Sequence, residues 1–357
     1  MSETKTKKKM KTKHKVIISV VSVILVIAIV ALICLVDFAK KNLSYNYNEI
    51  TEDPKELGFE TVIEEKITNI ALFGVDTRNP KSFKGLSDAI MILSINEKTK
   101  KVKVISIMRD TLVPLEYKGK TMNAKINSAY SRGGPELAIK TINTLFGLDI
   151  SEYATVNFYG MADIIDAVGG IEVELAKNEV GYELNFGIKE VCRKEGIPFD
   201  DYLIDKAGKQ TLNGIQAVSY ARMRHTGTIW GTNNDYGRTD RQRYVMEQLF
   251  NKALTLEKSR YIPLARALLP FCETSLSLPE IIKIASNVLV DSPTFEQARV
   301  PMKDYQMQSK NIKGVGACVY YDLDYAGKVI RAFIYDDIKP SDYIAEHGVE
   351  KNDWYNK

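Results

Sequence analysis

Cysteine, histidine and tryptophan are scarce in this sequence, and each scarcity closes off a class of chemistry. The four cysteines are Cys34, Cys192, Cys272 and Cys318, and no spacing among them resembles a zinc site. Only three histidines occur in 357 residues. There is no H-E-x-x-H, no G-x-S-x-G and no P-loop lysine motif. These gaps argue against a covalent enzyme intermediate and against a histidine base. A basic surface is missing too. The formal charge is +4, but seven lysines against Glu3 in the first fifteen residues carry +6, which leaves about −2 for the remainder. A nucleic-acid-binding domain should itself be basic, so nucleic acid is not an expected partner.

One long hydrophobic run is present. Val16 to Val36 are 21 positions without charge, interrupted only by Ser19 and Ser22 among polar residues. At about 1.5 Å per residue such a run matches a hydrocarbon core of roughly 30 Å. The lysines lie ahead of it, so the positive-inside rule predicts a cytoplasmic tail at 1–15, an anchor at 16–36 and an extracytoplasmic remainder. A cleaved signal would have a shorter apolar region and a small-residue cleavage site. A lipoprotein cysteine at Cys34 would follow a small residue, and Ile33 stands there. Cys192, Cys272 and Cys318 then face an oxidising space, where one disulfide among the three is open.

Residues 37–65 are polar and acidic and read as a stalk. From Ile67 the pattern is that of an alternating α/β domain. The segments 67–75, 89–95 and 102–108 are short, β-branched apolar runs suited to buried strands. NEKTK between the second and third is short enough for a hairpin. Residues 123–147, the MADIIDAV segment, 211–222, 240–256, 259–269 and 279–290 read as helices. Residues 153–158, 171–175, 315–321 and 329–335 read as strands, and 177–208 as loop.

Strand direction alone gathers a candidate site. If the 89–95 and 102–108 strands pair antiparallel, Asp88 at the start of one lies beside Arg109 and Asp110 at the end of the other. If 67–75 is also antiparallel to 89–95, Asp76 and Arg78 join the same sheet edge. Paired carboxylates suit Mg²⁺, which takes one or two of them plus substrate phosphates. Arginine matches phosphate oxygens bidentately. Surface ion pairs at loop ends are the ordinary alternative for any one of these residues.

A second cluster lies at 222–243. Arg222 and Arg224 share a face only if the chain is extended there. Arg238, Arg241 and Gln242 have the spacing of one helix face, at a helix start that already favours anions. Asp240 sits among them and could orient an arginine or help deprotonate an acceptor. His225 alone is more often structural than catalytic. Without a nucleophile constellation, such a set fits phosphoryl transfer, where positioning and charge neutralisation dominate.

The blocks NIALFGVDTR, SDAIMILSINEKTKKVKVISIMRDT, KINSAYSRGGPELAIKTIN, VNFYGMADIIDAVGGIEVEL, QTLNGIQAVSYARMRH and DYGRTDRQR follow one another from 69 to 243. In that order they resemble the LytR-CpsA-Psr family. The resemblance implies a three-layer α/β/α catalytic domain with a central mixed sheet at 66–340, followed by a tail at 341–357. It implies an apolar pocket for a polyprenyl chain with a charged mouth for its pyrophosphate. The implied reaction moves a glycan phosphate from polyprenyl pyrophosphate to the C6 hydroxyl of muramic acid in peptidoglycan. By motif position Asp76 and Asp88 would hold Mg²⁺, with Mn²⁺ as an alternative. Arg78, Arg109, Arg222, Arg224 and Arg238 would contact the pyrophosphate, with Lys125 and Gln242 nearby and Arg241 a further candidate. Asp76, Asp88, Arg109 and Arg222 would form the catalytic set. The lipid bilayer, the lipid-linked glycan and peptidoglycan are the expected partners. A lipid pyrophosphate hydrolase and a non-catalytic lipid-binding regulator are the rival readings. The insert TGTIWGTNN departs from the family's simplest pattern and bears on the shape of the mouth.

Overall fold

Alternation along three neighbouring strands sets the architecture. In β2 (Ile67–Val75), β3 (Ser87–Asn96) and β4 (Lys101–Ile107), successive side chains turn to opposite faces of one sheet. Ala71, Phe73, Ile90, Ile92 and Ile105 enter the core on one face, while Ile70, Ile95 and Val102 join a smaller cluster on the other. The computed structural model describes residues 46–348, apart from 78, 80, 258, 260, 290–292 and 303–306. The expected anchor at 16–36 and Arg78 lie outside the described residues. Among the described residues no helix is long and apolar enough to cross a membrane.

Seven strands form the central sheet. β1 (Asn46–Tyr47), β10 (Cys272–Thr274), β7 (Glu152–Asn157), β2, β3, β4 and β11 (Thr294–Val300) lie side by side in that order. β2 pairs antiparallel with β3 but parallel with β7, and β4 pairs antiparallel with β3 but parallel with β11. The sheet is therefore mixed, as expected. One face carries α1 (Asn127–Phe146) and α8 (Leu323–Tyr335), whose buried residues belong to the larger core. Toward the other face lie α2 (Phe158–Ala167), α5 (Asn234–Leu254), α6 (Tyr261–Leu268) and α7 (Leu278–Leu289). Two-stranded ribbons add β5 (Leu112–Tyr117) with β6 (Lys120–Lys125), β8 (Ile171–Leu175) with β9 (Gly208–Leu212), and β12 (Gln308–Ile312) with β13 (Gly316–Tyr320).

Several expectations need correction. The supposed stalk enters the fold from residue 46, for β1 extends the sheet and Leu57 is fully buried in the larger core. The stretch 329–335 is helical. Tyr325, Ala326, Val329, Ile330 and Phe333 are buried at helical spacing on α8, and a short apolar run cannot distinguish that from a strand. The supposed loop at 177–208 contains α3 (Tyr182–Glu195), which buries Leu184, Ile188, Val191 and Cys192 and stops at a left-handed Gly196. The expected tail includes α9 (Pro340–His347), whose Tyr343 and Ile344 pack on the core. Cys192, Cys272 and Cys318 are free thiols, so no disulfide joins them.

Candidate active site

The sheet edge converges as strand direction requires. Val75 lies opposite Ser87, and Ile90 opposite Ile107, so the end of β2, the start of β3 and the end of β4 meet at one edge. Arg109 Nη1 donates to Asp88 Oδ1 at 2.6 Å. The other oxygen, Asp88 Oδ2, lies 3.8 Å from both Arg224 Nη2 and Arg238 Nη1. One carboxylate thus sits among three guanidinium groups drawn from residues 109, 224 and 238. Asp76 is exposed and lines the same cavity.

Local structure brings in the second cluster. Asn213 and Gln216 form a reciprocal capping box at the start of α4 (Gly214–Arg222). The helix ends as Met223 turns extended (ψ 138°) and buries its side chain, leaving Arg222 and Arg224 on either side of it. The expected extension is therefore present. The Arg222 guanidinium lies 4.6 Å from the centre of the Phe158 ring and 3.9 Å from Glu190. The turn beyond is fixed by Glu183. Its Oε1 accepts from the backbone N–H of Arg224 and of His225, and Oε2 from the N–H and hydroxyl of Thr226. Burial alone would raise the Glu183 carboxyl, but these four hydrogen bonds outweigh it and hold the group below its ordinary 4.5. Glu183 was missed because α3 was missed. Its apolar positions 184, 188 and 191 were the available signal.

Helix α5 begins at Asn234, six residues before the expected start, after a left-handed backbone at that residue (φ 52°). Arg238 therefore lies in the second turn and not at the helix end. At about 100° per residue, Gln242 falls roughly 40° from Arg238 on one side and Arg241 roughly 60° on the other. That divergence separates the trio. Arg238 and Gln242 line the cavity. Arg241 is fully buried and paired with the equally buried Glu179 at 2.9 Å, and it donates to the carbonyls of Met223 and Thr226. Arg241 forms a buried ion pair and does not line the cavity. Asp240 is likewise turned away, accepting from Thr232, Arg243 and Arg299. The two arginines it pairs with, Arg243 and Arg299, do not line the cavity. Lys125 pairs with Asp110 at 2.8 Å and does not itself line the cavity.

Asp235 is a further residue that the sequence did not single out. It holds Arg238 at 2.8 Å and approaches Arg109 Nε at 3.7 Å. Burial pushes Arg238 down to about 10; Asp235 opposes the shift, while Arg109 and Arg224 add to it. Arg238 stays charged at neutral pH, and its buried Nε has no hydrogen-bond partner among the described residues. Arg109 moves the other way. Burial would lower it, but Asp88, Asp235 and Asp110 together raise it above its ordinary value. Arg109, Arg224 and Arg238 together form a donor set that suits an anion.

Two cavities meet here. The polar one, about 710 Å³, contains Asp76, Asp88, Arg222, Arg224, Arg238 and Gln242 in its wall. The other, about 540 Å³, lies between the sheet and helices α2, α5, α6 and α7, and its walls include Leu72, Met91, Val218, Met246, Leu268 and Ile284. Both share Phe158 and Gln242. Interiors are close-packed with few voids larger than a water molecule, so an apolar space of this size marks a ligand site.

The LytR_cpsA_psr family model matches residues 33–326. The polyisoprenyl-teichoic acid–peptidoglycan teichoic acid transferase TagU of Enterococcus faecalis is 33% identical over 221 residues, 61% of this chain and 64% of that protein. Biofilm regulatory protein A of Streptococcus mutans is 30% identical over 263 residues, 71% of this chain and 59% of that protein. The chain thus spans slightly less than two thirds of the length of these curated relatives. Among solved structures, the LytR-CPS2A-psr family protein YwtF (TagT) with bound octaprenyl pyrophosphate lipid matches with a TM-score of 0.55 at 18% identity, over 81% of this chain and 99% of that one. At that identity the likeness speaks for the fold. Every strand of the central sheet falls within residues 33–326, and on that extent the chain belongs to the LytR-CpsA-Psr family.

Proposed function

We propose that this chain is a phosphotransferase that moves a glycan phosphate from a polyprenyl-pyrophosphate carrier to the C6 hydroxyl of a muramic-acid residue in peptidoglycan. One observation carries the reading: an apolar cavity and an arginine-lined mouth share Phe158 and Gln242. A ligand filling both is an amphiphile with a hydrocarbon chain and a multiply charged head. The transferase name of the Enterococcus faecalis relative and the octaprenyl pyrophosphate in the TagT structure support the same choice. The anchor expected at 16–36 would hold the domain at the outer face of the cell membrane, where the carrier lipid and the wall are both in reach.

In this reading Arg109, Arg222, Arg224 and Arg238 bind the pyrophosphate and offset charge on the departing phosphate. The acceptor hydroxyl oxygen bonds to the phosphorus that bears the glycan, the bridging P–O bond breaks, polyprenyl phosphate leaves, and the hydroxyl proton passes to water at the open mouth. Asp76 and Asp88 suit a hard cation. They are two carboxylates in the wall of one cavity, the protein donors that Mg²⁺ takes alongside substrate phosphates. Mg²⁺, or Mn²⁺ in its place, would supply further charge neutralisation when bound.

The test uses the full-length chain in detergent with Mg²⁺, a polyprenyl-pyrophosphate glycan and peptidoglycan. The expected products are glycan linked through phosphate to peptidoglycan and one polyprenyl phosphate per link. Free glycan phosphate formed equally without peptidoglycan would identify a hydrolase instead. Lipid binding without turnover, unaffected by Asp76→Ala and Asp88→Ala, would identify a regulator.

A further inference from the structure

Helix α3 presents two aromatic rings to solvent beside the arginines. Tyr182 is 83% exposed and Phe186 51% exposed, and their rings stack at 5.6 Å with 22° between planes. Both line the polar mouth and neither lines the apolar cavity. The helix anchors itself through Leu184, Ile188, Val191 and Cys192, so the ring pair is not needed to attach it. Rings this exposed, next to a charged site, mark a surface that a ligand covers. Phe158, also in the mouth, already has the Arg222 guanidinium over it.

We infer that Tyr182 and Phe186 form a stacking shelf for the donor glycan, specifically for the pyranose ring attached to the pyrophosphate. The inference rests on the donor reading proposed above. A pyranose has a face of C–H groups that packs on an aromatic ring, with hydroxyl groups around its edge. The shelf supplies the ring surface, and Glu190, in the same wall, supplies a carboxylate acceptor for a hydroxyl. Location selects the donor sugar. With the lipid chain in the apolar cavity and the pyrophosphate among the arginines, the first sugar is bonded directly to a group held in the same mouth. The shelf would let the enzyme distinguish a loaded carrier from an empty one, because bare polyprenyl pyrophosphate has nothing to place there.

The test is equilibrium binding by the full-length chain in detergent, with two probes: octaprenyl pyrophosphate, and the same lipid bearing one N-acetylhexosamine on its terminal phosphate. The wild type is expected to hold the sugar-bearing lipid more tightly. Tyr182→Ala/Phe186→Ala should lose about tenfold on that lipid and stay within about twofold on the bare one. Tyr182→Trp, which keeps a ring, should retain the preference, and Tyr182→Leu should not. Equal losses on both lipids, or no loss on either, would overturn the shelf. A double variant that keeps its preference for the sugar-bearing lipid but shows a raised KM for peptidoglycan would also overturn it, by assigning the rings to the acceptor. A wild type that binds neither lipid would overturn the donor reading itself, and the shelf with it.

Discussion

Arg109 and Asp88 face each other across the ends of β4 and β3, joined by a 2.6 Å hydrogen bond from Nη1 to Oδ1. The pair sets the spacing of the whole mouth, because the second Asp88 oxygen is shared at 3.8 Å between Arg224 and Arg238. On the proposed reading, Arg109→Ala removes one phosphate donor and leaves Asp88 to the other two arginines. Single-turnover kinetics on that variant should show the chemical step slowed about 10²–10³-fold, the usual cost of one charge-stabilising donor. Affinity for the lipid should fall much less if the hydrocarbon chain occupies the apolar cavity. A slowing of less than threefold, against that expected range, would remove Arg109 from the catalytic set.

The apolar cavity makes a separate claim about chain length. Ala253 on α5 lines it, and Ala253→Trp would fill space that a polyprenyl chain needs. Competition binding should show octaprenyl pyrophosphate weakened by about tenfold or more, while a five-carbon isoprenyl pyrophosphate stays within about twofold. Equal weakening of both would mean that the chain does not enter this cavity.

Glu183 predicts a pH dependence with a definite sign. Its carboxyl is held below its ordinary 4.5 in the folded chain, so its contribution to stability is complete above that pH and is lost as pH falls through the lower folded value. The wild type should therefore exceed Glu183→Gln in urea midpoint by a constant amount from neutrality down to about pH 5, with the gap closing in more acid solution. The group is only half-buried, so solvent screening keeps the gap small. Because Glu183 fixes the backbone at 224–226, the same variant should weaken pyrophosphate binding at neutral pH. A gap that widens in acid would contradict the sign.

How much of this was legible depended on the range of the interactions. The meeting of Asp76, Asp88 and Arg109 followed from a five-residue turn and antiparallel pairing, which fix register locally. Arg222 and Arg224 followed from one extended residue between them. Glu183 and the ring pair were hidden because Asn185 and Gly187 interrupt the apolar pattern of α3, and the charged residues around it resemble a loop. The burial of Arg241 away from the cavity is not legible for a different reason. Its partner Glu179 lies 62 residues earlier, and no pattern near Arg241 announces it.

Arg241 and Glu179 provide a control for the arginines of the mouth. Both are fully buried, so Arg241→Ala leaves a carboxylate without its partner inside the core. The loss should be about 3–5 kcal/mol, read from urea unfolding. Adding Glu179→Leu to Arg241→Met should recover much of it, as removing both charges often does. Once refolded stability is restored, octaprenyl pyrophosphate should bind the double variant with an affinity within about twofold of wild type. A selective loss of pyrophosphate affinity would return Arg241 to the binding set.

The entry of the chain into the sheet sets where the folded domain can be shortened. β1 pairs with β10, Ile50 and Leu57 are buried in the larger core, and the Leu57 carbonyl accepts a hydrogen bond from the Asn143 side chain. A chain beginning at residue 46 keeps all three features, and one beginning at residue 66 loses them. Burying a leucine or isoleucine is worth about 1.5–3 kcal/mol, so the shorter chain should lose several kcal/mol and unfold at lower temperature. Asn143 also holds the turn before β7 through Ile150, so the damage should extend toward the start of that strand. Thermal unfolding of the two chains, with hydrogen exchange at 148–153, separates the alternatives. Equal midpoints and equal protection would restore residues 46–65 to the role of a stalk.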